Sequence, residues 1–149
     1  MSVANRQSVV VDAWVVGKAS SHPPDDSVWK AAGVLVRIMY VCHKIVMDLP
    51  AANQEGILDE YKRQATSDLT RRWIIAVQRQ EKMIWRPRAA ISIPALTDPD
   101  DLKYFQVAVN APNKNIVSED SDFTSIANHY DVTSKGIKIW TLDEALAKL

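Results

Sequence analysis

Four carboxylates stand where short segments end, and they are the residues whose type and spacing could do chemistry. Asp12 closes the β-branched run Ser8-Val9-Val10-Val11. Glu60 lies in a helical pattern, in Asp59-Glu60-Tyr61. Asp101 sits in the first turn of the helix that Asp98 and Pro99 announce, where a helix dipole tolerates negative charge. Asp120 follows the short apolar run Ile116-Val117, with Asp122 two residues on. Carboxylates brought within a few ångströms of one another cannot all ionise unaided. A hard divalent cation resolves the conflict, and an all-oxygen donor set suits Mg²⁺ or Mn²⁺. Such an ion keeps positions open for a phosphate and activates water for phosphodiester cleavage. Spacing alone leaves a plainer alternative open, in which the same acids are solvated caps and loop residues.

Other chemistries find little footing. His22, His43 and His129 are scattered, without a cysteine or histidine at zinc-ligand spacing, and each reads as a surface or helix-end residue. The four glycines are isolated, so there is no phosphate-cradling loop. No nucleophile elbow supports serine catalysis. Cys42 falls on the apolar face of a helical repeat and reads as a core residue. As the one cysteine it excludes an internal disulfide, which points to a reducing cytoplasm. The run Val9 to Val16 is interrupted by Asp12 and followed by no small-residue cleavage site, so it is not read as a signal peptide. No stretch approaches the ~20 apolar residues of a membrane span.

Formal charge is balanced, 18 basic against 18 acidic residues, so only the distribution can speak about partners. Residues 62–88 hold eight basic residues against two acids, and residues 98–122 hold six acids against two lysines. A basic surface beside an acidic centre suits attraction and cleavage of a phosphate backbone. Trp73 and Trp85 interleave with the basic residues. The plainer reading, a solvated amphipathic helix with its tryptophans in the core, stands slightly ahead for any single one of these residues.

The elements that must position these groups alternate. Strands are expected at Ser8 to Val11, Lys44 to Met47 (ended by Asp48 and Pro50), Ile116-Val117 and Ile137 to Trp140. After Asp12, apolar residues resume and Gly17 allows a turn. Helices are expected from Val28 to Cys42 (capped by Asp26 or Ser27), Asn53 to Gln64, and from Ser67-Asp68 onward with Met83 or Ile84 on its apolar face. Three more follow: Leu102 to Val109, Thr124 to Tyr130, and Leu142 to Leu149 capped by Thr141. Trp85 to Pro94 reads as irregular. With 149 residues and 47% hydrophobic content, this is one domain spanning 1–149. The fold class is α/β, a three-layer α/β/α arrangement around a central, mostly parallel sheet.

With these residues in place the chain resembles the PIN-domain family of metal-dependent nucleases, most closely from Asp98 to Leu149. The resemblance is carried by Asp98-Pro99-Asp100-Asp101 with Lys103, Tyr104-Phe105 and Ala108. It continues through Val117-Ser118-Glu119-Asp120-Ser121-Asp122 and Gly136-Ile137-Lys138-Ile139-Trp140-Thr141. It implies that Asp12, Asp101 and Asp120 hold Mg²⁺ or Mn²⁺ directly, with Asp122 as an auxiliary ligand. Glu60 would then bind the ion through water or orient the attacking water, and Asp59 could replace it after a small helix rotation. The resemblance further implies an RNA substrate, a homodimer and, for many members, the toxin role of a toxin–antitoxin pair with an antitoxin protein as partner. Two positions depart from the family pattern. Trp14 stands where Asn, Ser or Thr is usual, and Ser118 replaces a threonine while keeping its hydroxyl.

The expectation is therefore an endoribonuclease. The alternative is a non-catalytic RNA-binding or regulatory module on the same scaffold, suggested by Trp14. A phosphoacceptor receiver domain also places aspartates at strand ends, but it wants a lysine where Trp140-Thr141 stands.

Overall fold

A run of β-branched residues with no polar alternation can only be a strand covered on both faces. Ser8–Val11 (β1) is such a run, and its three valines are fully buried. The computed structural model, which describes residues 7–49, 51 and 53–149, places β1 at the centre of a five-stranded sheet. The other strands are Lys44–Asp48 (β2), Met83–Arg86 (β3), Asn115–Val117 (β4) and Lys138–Trp140 (β5). Their order is β3-β2-β1-β4-β5, and every pairing is parallel.

The chain walks outward from β1 through β2 to β3, then returns to β4 on the other side of β1 and continues to β5. Right-handed crossovers therefore put the connections of the two halves on opposite faces. The helices of the first half are Ala13–Ala19 (α1), Asp26–Tyr40 (α2), Ile57–Gln64 (α3) and Asp68–Arg79 (α4). They pack on one another, and α2 also meets the terminal helix Leu142–Lys148 (α8). Leu102–Val109 (α5) lies against β1, β2 and β4. Two short helices, Ser121–Thr124 (α6) and Tyr130–Thr133 (α7), complete the second half. Phe123 of α6 stacks on Phe105 of α5 at 5.3 Å between ring centres. The result is the expected three-layer α/β/α fold, with one contiguous core between the layers. Among the described residues no helix is long and apolar enough to cross a membrane.

Several local expectations are corrected. Helix α4 ends at Arg79, and Glu81 adopts a left-handed φ of 53°, which turns the chain into β3. Met83 and Ile84 therefore belong to a strand and not to the helix, and of the segment expected to be irregular only Trp85 and Arg86 are strand, the rest to Pro94 being irregular as expected. This edge strand is only half-buried, so it lacks the apolar run that marked the others. Ala13 to Val16 form helix α1, and Gly17 lies inside it. A Cβ on Gly17 would stand 2.7 Å from Gln64 Oε1, the movable tip of a side chain on α3, and the glycine makes no turn. Helix α3 starts at Ile57, because Asn53 has φ 61° and cannot be helical there. Asp25, not Asp26 or Ser27, caps α2 by accepting from the Val28 amide at 2.9 Å. That helix stops at Tyr40, which leaves Cys42 in an exposed turn outside the core. His43 is buried, its Nδ1 accepting the Gln7 amide at 3.1 Å. The helix expected over Thr124 to Tyr130 is replaced by α6 and α7 on either side of it. Pro50 lies outside the described residues.

Candidate functional site

Strands β1 and β4 are neighbours, yet the chain leaves them in opposite directions. Such a switch point opens a crevice at the carboxyl ends of the two strands. Asp12 is the first residue beyond β1, and Ser118 to Asp120 are the first beyond β4. The Asp12 amide donates to Val117 O at 3.0 Å, which continues the ladder and fixes the backbone at the crevice floor. The Asp12 carboxylate is 4% exposed and makes no cap for α1. Its Oδ2 accepts from Ser118 Oγ at 2.8 Å, and Ser118 Oγ in turn accepts the Asp120 amide at 3.0 Å. The hydroxyl at position 118 thus ties the two strand ends together.

The third acid arrives from the other layer. Pro99–Asp101 is a turn of 3-10 helix whose Asp98 carboxylate accepts the Asp100 amide at 2.9 Å, as Asp98-Pro99 announces. Asp101 closes this turn and enters α5. Glu60 comes from α3. Asp12, Glu60, Asp101 and Asp120 line one open cavity of about 400 Å³, together with Trp14 and Lys18.

Electrostatics at this cavity are unbalanced. Burial, reinforced by the charges of Asp120 and Glu60, pushes the Asp12 carboxyl up from 3.8 to about 7, against the pull of Ser118 and the Trp14 backbone. Burial likewise pushes Asp101 up from 3.8 to about 7, with Asp12, Asp98, Asp120 and Asp122 adding in that order. Glu60 differs from both. Its Oε1 accepts from Lys103 Nζ at 3.1 Å and faces Arg63 Nη2 at 3.7 Å, and its Oε2 accepts from the Tyr104 hydroxyl. Tyr104 Oη also takes the Ala13 amide at 3.2 Å, so the phenol bridges the start of α1 to Glu60. Burial holds the Tyr104 phenol well above its usual range, so it stays a donor.

One group of three acids is compact enough that it could hold a cation. Carboxylate oxygens of Asp98, Asp101 and Asp122 lie within 4.8 Å of one another. Asp12 and Asp120 fall outside that triple, and Asp101 is the link between it and the cavity. Of the expected ligand set, then, Asp12, Asp101 and Asp120 meet at the cavity, while Asp122 meets Asp101 together with Asp98. Such a cluster of carboxylates offers an all-oxygen donor set that could hold a metal ion.

Other expectations divide. Glu60, not Asp59, faces the cavity; Asp59 Oδ2 accepts the Gly56 amide at 3.1 Å. Glu119 turns away and accepts the Leu142 amide at 2.7 Å. The basic segment is no single free surface. Arg88 is bound to Asp48 at 2.5 Å, and Lys82 Nζ donates to the carbonyls of Ile38 and Val41. Lys62, Arg72 and Arg79 are exposed without a side-chain partner among the described residues. Trp73 is core, its indole donating to Leu35 O at 2.7 Å, whereas Trp85 is exposed.

Three contributors went unread in the sequence. Asp98 was legible as a cap but not as a cluster member, although a 3-10 turn brings residues i and i+3 together. Ser118 was noted only for its hydroxyl. Lys103 was legible only as part of a motif, and nothing in its spacing announces a partner on α3. Set against known protein families, curated proteins and solved structures, the chain matches no family model, no curated protein and no solved structure.

Proposed function

We propose that the protein is a Mg²⁺- or Mn²⁺-dependent endoribonuclease of the PIN type. The observation that carries this reading is the meeting of Asp12, Glu60, Asp101 and Asp120, from four separate segments, in one cavity at the switch point. The strand order supports it too. It differs from the 2-1-3-4-5 order of receiver domains, and no glycine-rich loop follows β1 as in dinucleotide-binding folds.

In this reading Asp12, Asp101 and Asp120 hold the ion, and Asp98 and Asp122 extend the negative field around Asp101. A bound Mg²⁺ or Mn²⁺ supplies Lewis acidity at the scissile phosphate and lowers the pKa of a coordinated water. Ser118 keeps Asp12 and the Asp120 backbone in register. Glu60, fixed through both oxygens by Lys103 and Tyr104, is placed to orient the attacking water. Lys18 on the cavity wall, with exposed Lys62, Arg72 and Arg79, supplies phosphate contacts. The RNA substrate, a cytoplasmic location, a homodimer and an antitoxin partner belong to the same proposal. The neighbouring reading frame tests the toxin role.

The decisive assay is cleavage of RNA with Mn²⁺ by the wild type and by Asp101→Asn. The expected result is loss of cleavage in the variant; equal cleavage by both overturns these roles. A second reading, a non-catalytic RNA-binding module, is favoured by Trp14 on the cavity wall and by the neutralised state of Glu60. It predicts RNA binding without turnover at every Mn²⁺ concentration.

A further inference from the structure

At the edge of the sheet opposite the acid crevice, Ser8 opens β1, Lys44 opens β2, Lys82 immediately precedes β3 and Asn113 lies just before β4. These residues line a second open cavity, of about 410 Å³, together with Cys42 and His43 from the turn between α2 and β2. No carboxylate is among its lining residues. Two of its polar side chains use their acceptors inside the chain and leave their donors over. Asn113 Oδ1 accepts from the Ser8 amide at 3.1 Å and from the Ser8 hydroxyl at 3.2 Å. That fixes the carboxamide's orientation and leaves its Nδ2 protons without a partner among the described residues. His43 is 2% exposed, and its Nδ1 accepts the Gln7 amide at 3.1 Å, so the neutral ring carries its proton on Nε2. Nε2 is enclosed in the cavity wall and has no partner among the described residues. Buried polar groups are nearly always bonded, so this N–H calls for an acceptor. Lys44 Nζ gives one proton to Glu81 O at 2.8 Å and keeps the others; Glu81 itself is exposed and does not line the cavity. Lys82 Nζ spends its protons on the carbonyls of Ile38 at 2.9 Å, Val41 at 2.8 Å and His43 at 3.4 Å, so it adds charge and no free donor. The cavity is cationic and donor-rich, with Ile84 and Pro112 as an apolar wall.

We propose that this cavity binds a small organic oxyanion, a carboxylate or phosphate ester whose apolar body rests on Ile84 and Pro112. Its oxygens accept from Asn113 Nδ2 and Lys44 Nζ and satisfy His43 Nε2. Lys82, held by the carbonyls at the end of α2, balances the ligand's charge. Hydrogen bonds to an ionised acceptor are roughly twice as strong as neutral ones, which favours an oxyanion over a ketone or an alcohol at such a set of donors. The volume falls within the range of about 300–1,000 Å³ that small-molecule sites occupy. The site lies at the amino ends of the strands, needs no metal, and stands or falls apart from the nuclease reading. Cys42 is exposed on its rim, so a seated ligand covers the thiol and makes occupancy measurable.

The test uses the purified full chain, with benzoate and phenyl phosphate as probes and benzylamine and benzyl alcohol as cationic and neutral controls. Binding is read by calorimetry, by the imidazole nitrogen and proton resonances of His43, and by the rate of Cys42 alkylation with iodoacetamide. At least one oxyanion is expected to bind at a single site, to shift the His43 Nε2–H resonance and to slow the alkylation, and the controls are expected to do none of these. Binding of phenyl phosphate alone assigns a phosphate ligand, and binding of benzoate alone a carboxylate. Asn113→Asp keeps the acceptor for Ser8 while replacing the free donor by a like charge, and is expected to weaken oxyanion binding roughly tenfold or more. Lys44→Met alters an exposed side chain and serves if the first variant does not fold; it is expected to weaken binding by roughly threefold or more. Benzyl alcohol binding as tightly as the oxyanions, Lys44→Met or folded Asn113→Asp binding them as tightly as wild type, or no shift of His43 with either oxyanion at millimolar concentration each overturns the inference.

Discussion

Two aspartates close neighbouring central strands, and they are solved in opposite ways. Asp48 ends β2 and is 2% exposed; Asp12 follows β1 and is 4% exposed. Around Asp48 the chain has built a complete set of partners. Arg88 grips Oδ2 through Nε at 2.9 Å and Nη2 at 2.5 Å, and the Ile57 amide donates to Oδ1 at 2.8 Å. That carboxylate is a structural anchor for the start of α3. Around Asp12 the side-chain donor is the neutral hydroxyl of Ser118, and the nearby charges that act on it, Asp120 and Glu60, are of the same sign. Burying a charge without a counter-charge is costly, and Arg88 supplies one at Asp48. The contrast teaches that the deficit at Asp12 is local to one crevice. In the reading proposed above, an external cation fills that deficit.

Turning one site into the other is the strongest way to break the contrast. Arg88→Ala would leave Asp48 as isolated as Asp12, and a buried ion pair missing one partner costs roughly 3–5 kcal/mol. Urea denaturation should show a loss of that size, and adding Asp48→Asn should recover part of it. An unchanged midpoint would mean that Asp48 is not held by Arg88.

The next largest effect is on pH. Asp12 binds its proton more tightly folded than unfolded, so between about 4 and about 7 the native state carries more protons. Stability of the cation-free protein should therefore fall as pH rises through that window. Three units at ~1.36 kcal/mol each bound the loss at about 4 kcal/mol. Asp12→Asn should flatten the decline and be more stable than wild type at pH 7. A slope that survives in Asp12→Asn would assign it elsewhere. Asp101 contributes in the same direction, but it is less enclosed and water screens it more.

Supplying the cation should reverse that loss. At a hundred times its dissociation constant, Mn²⁺ is expected to stabilise the wild type by ~2.7 kcal/mol. In thermal melts the gain should vanish in Asp101→Asn and persist in Asp48→Asn. The smallest effect sharpens the role of Ser118. Ser118→Ala removes the donor to Asp12 Oδ2 and the acceptor of the Asp120 amide, at a cost of about 1–3 kcal/mol. Threonine at 118 should restore the stability, whereas alanine should also weaken Mn²⁺ binding.

Much of the frame was legible in advance. β1, β2, β4 and β5 announced themselves through β-branched or apolar runs, and Ser67, Asp98 and Thr141 cap the elements that they were expected to cap. β3 was not legible, since a half-exposed edge strand has no continuous apolar signal and its start depends on a left-handed Glu81. Cys42 was misread because helical periodicity continued two residues past the real end of α2. His43 was misread because burial of a single polar residue is decided by what packs over it.

By itself the sequence determined which residues carry acid groups at the ends of elements, and that those elements alternate into an α/β sheet. Those properties are local: propensity, periodicity and capping act over a few residues. Tertiary structure alone decided which acids were compensated. Arg88 meets Asp48 across 40 positions and Lys103 meets Glu60 across 43. Coulomb energy depends on distance and burial in the folded chain, and no spacing along the sequence encodes either.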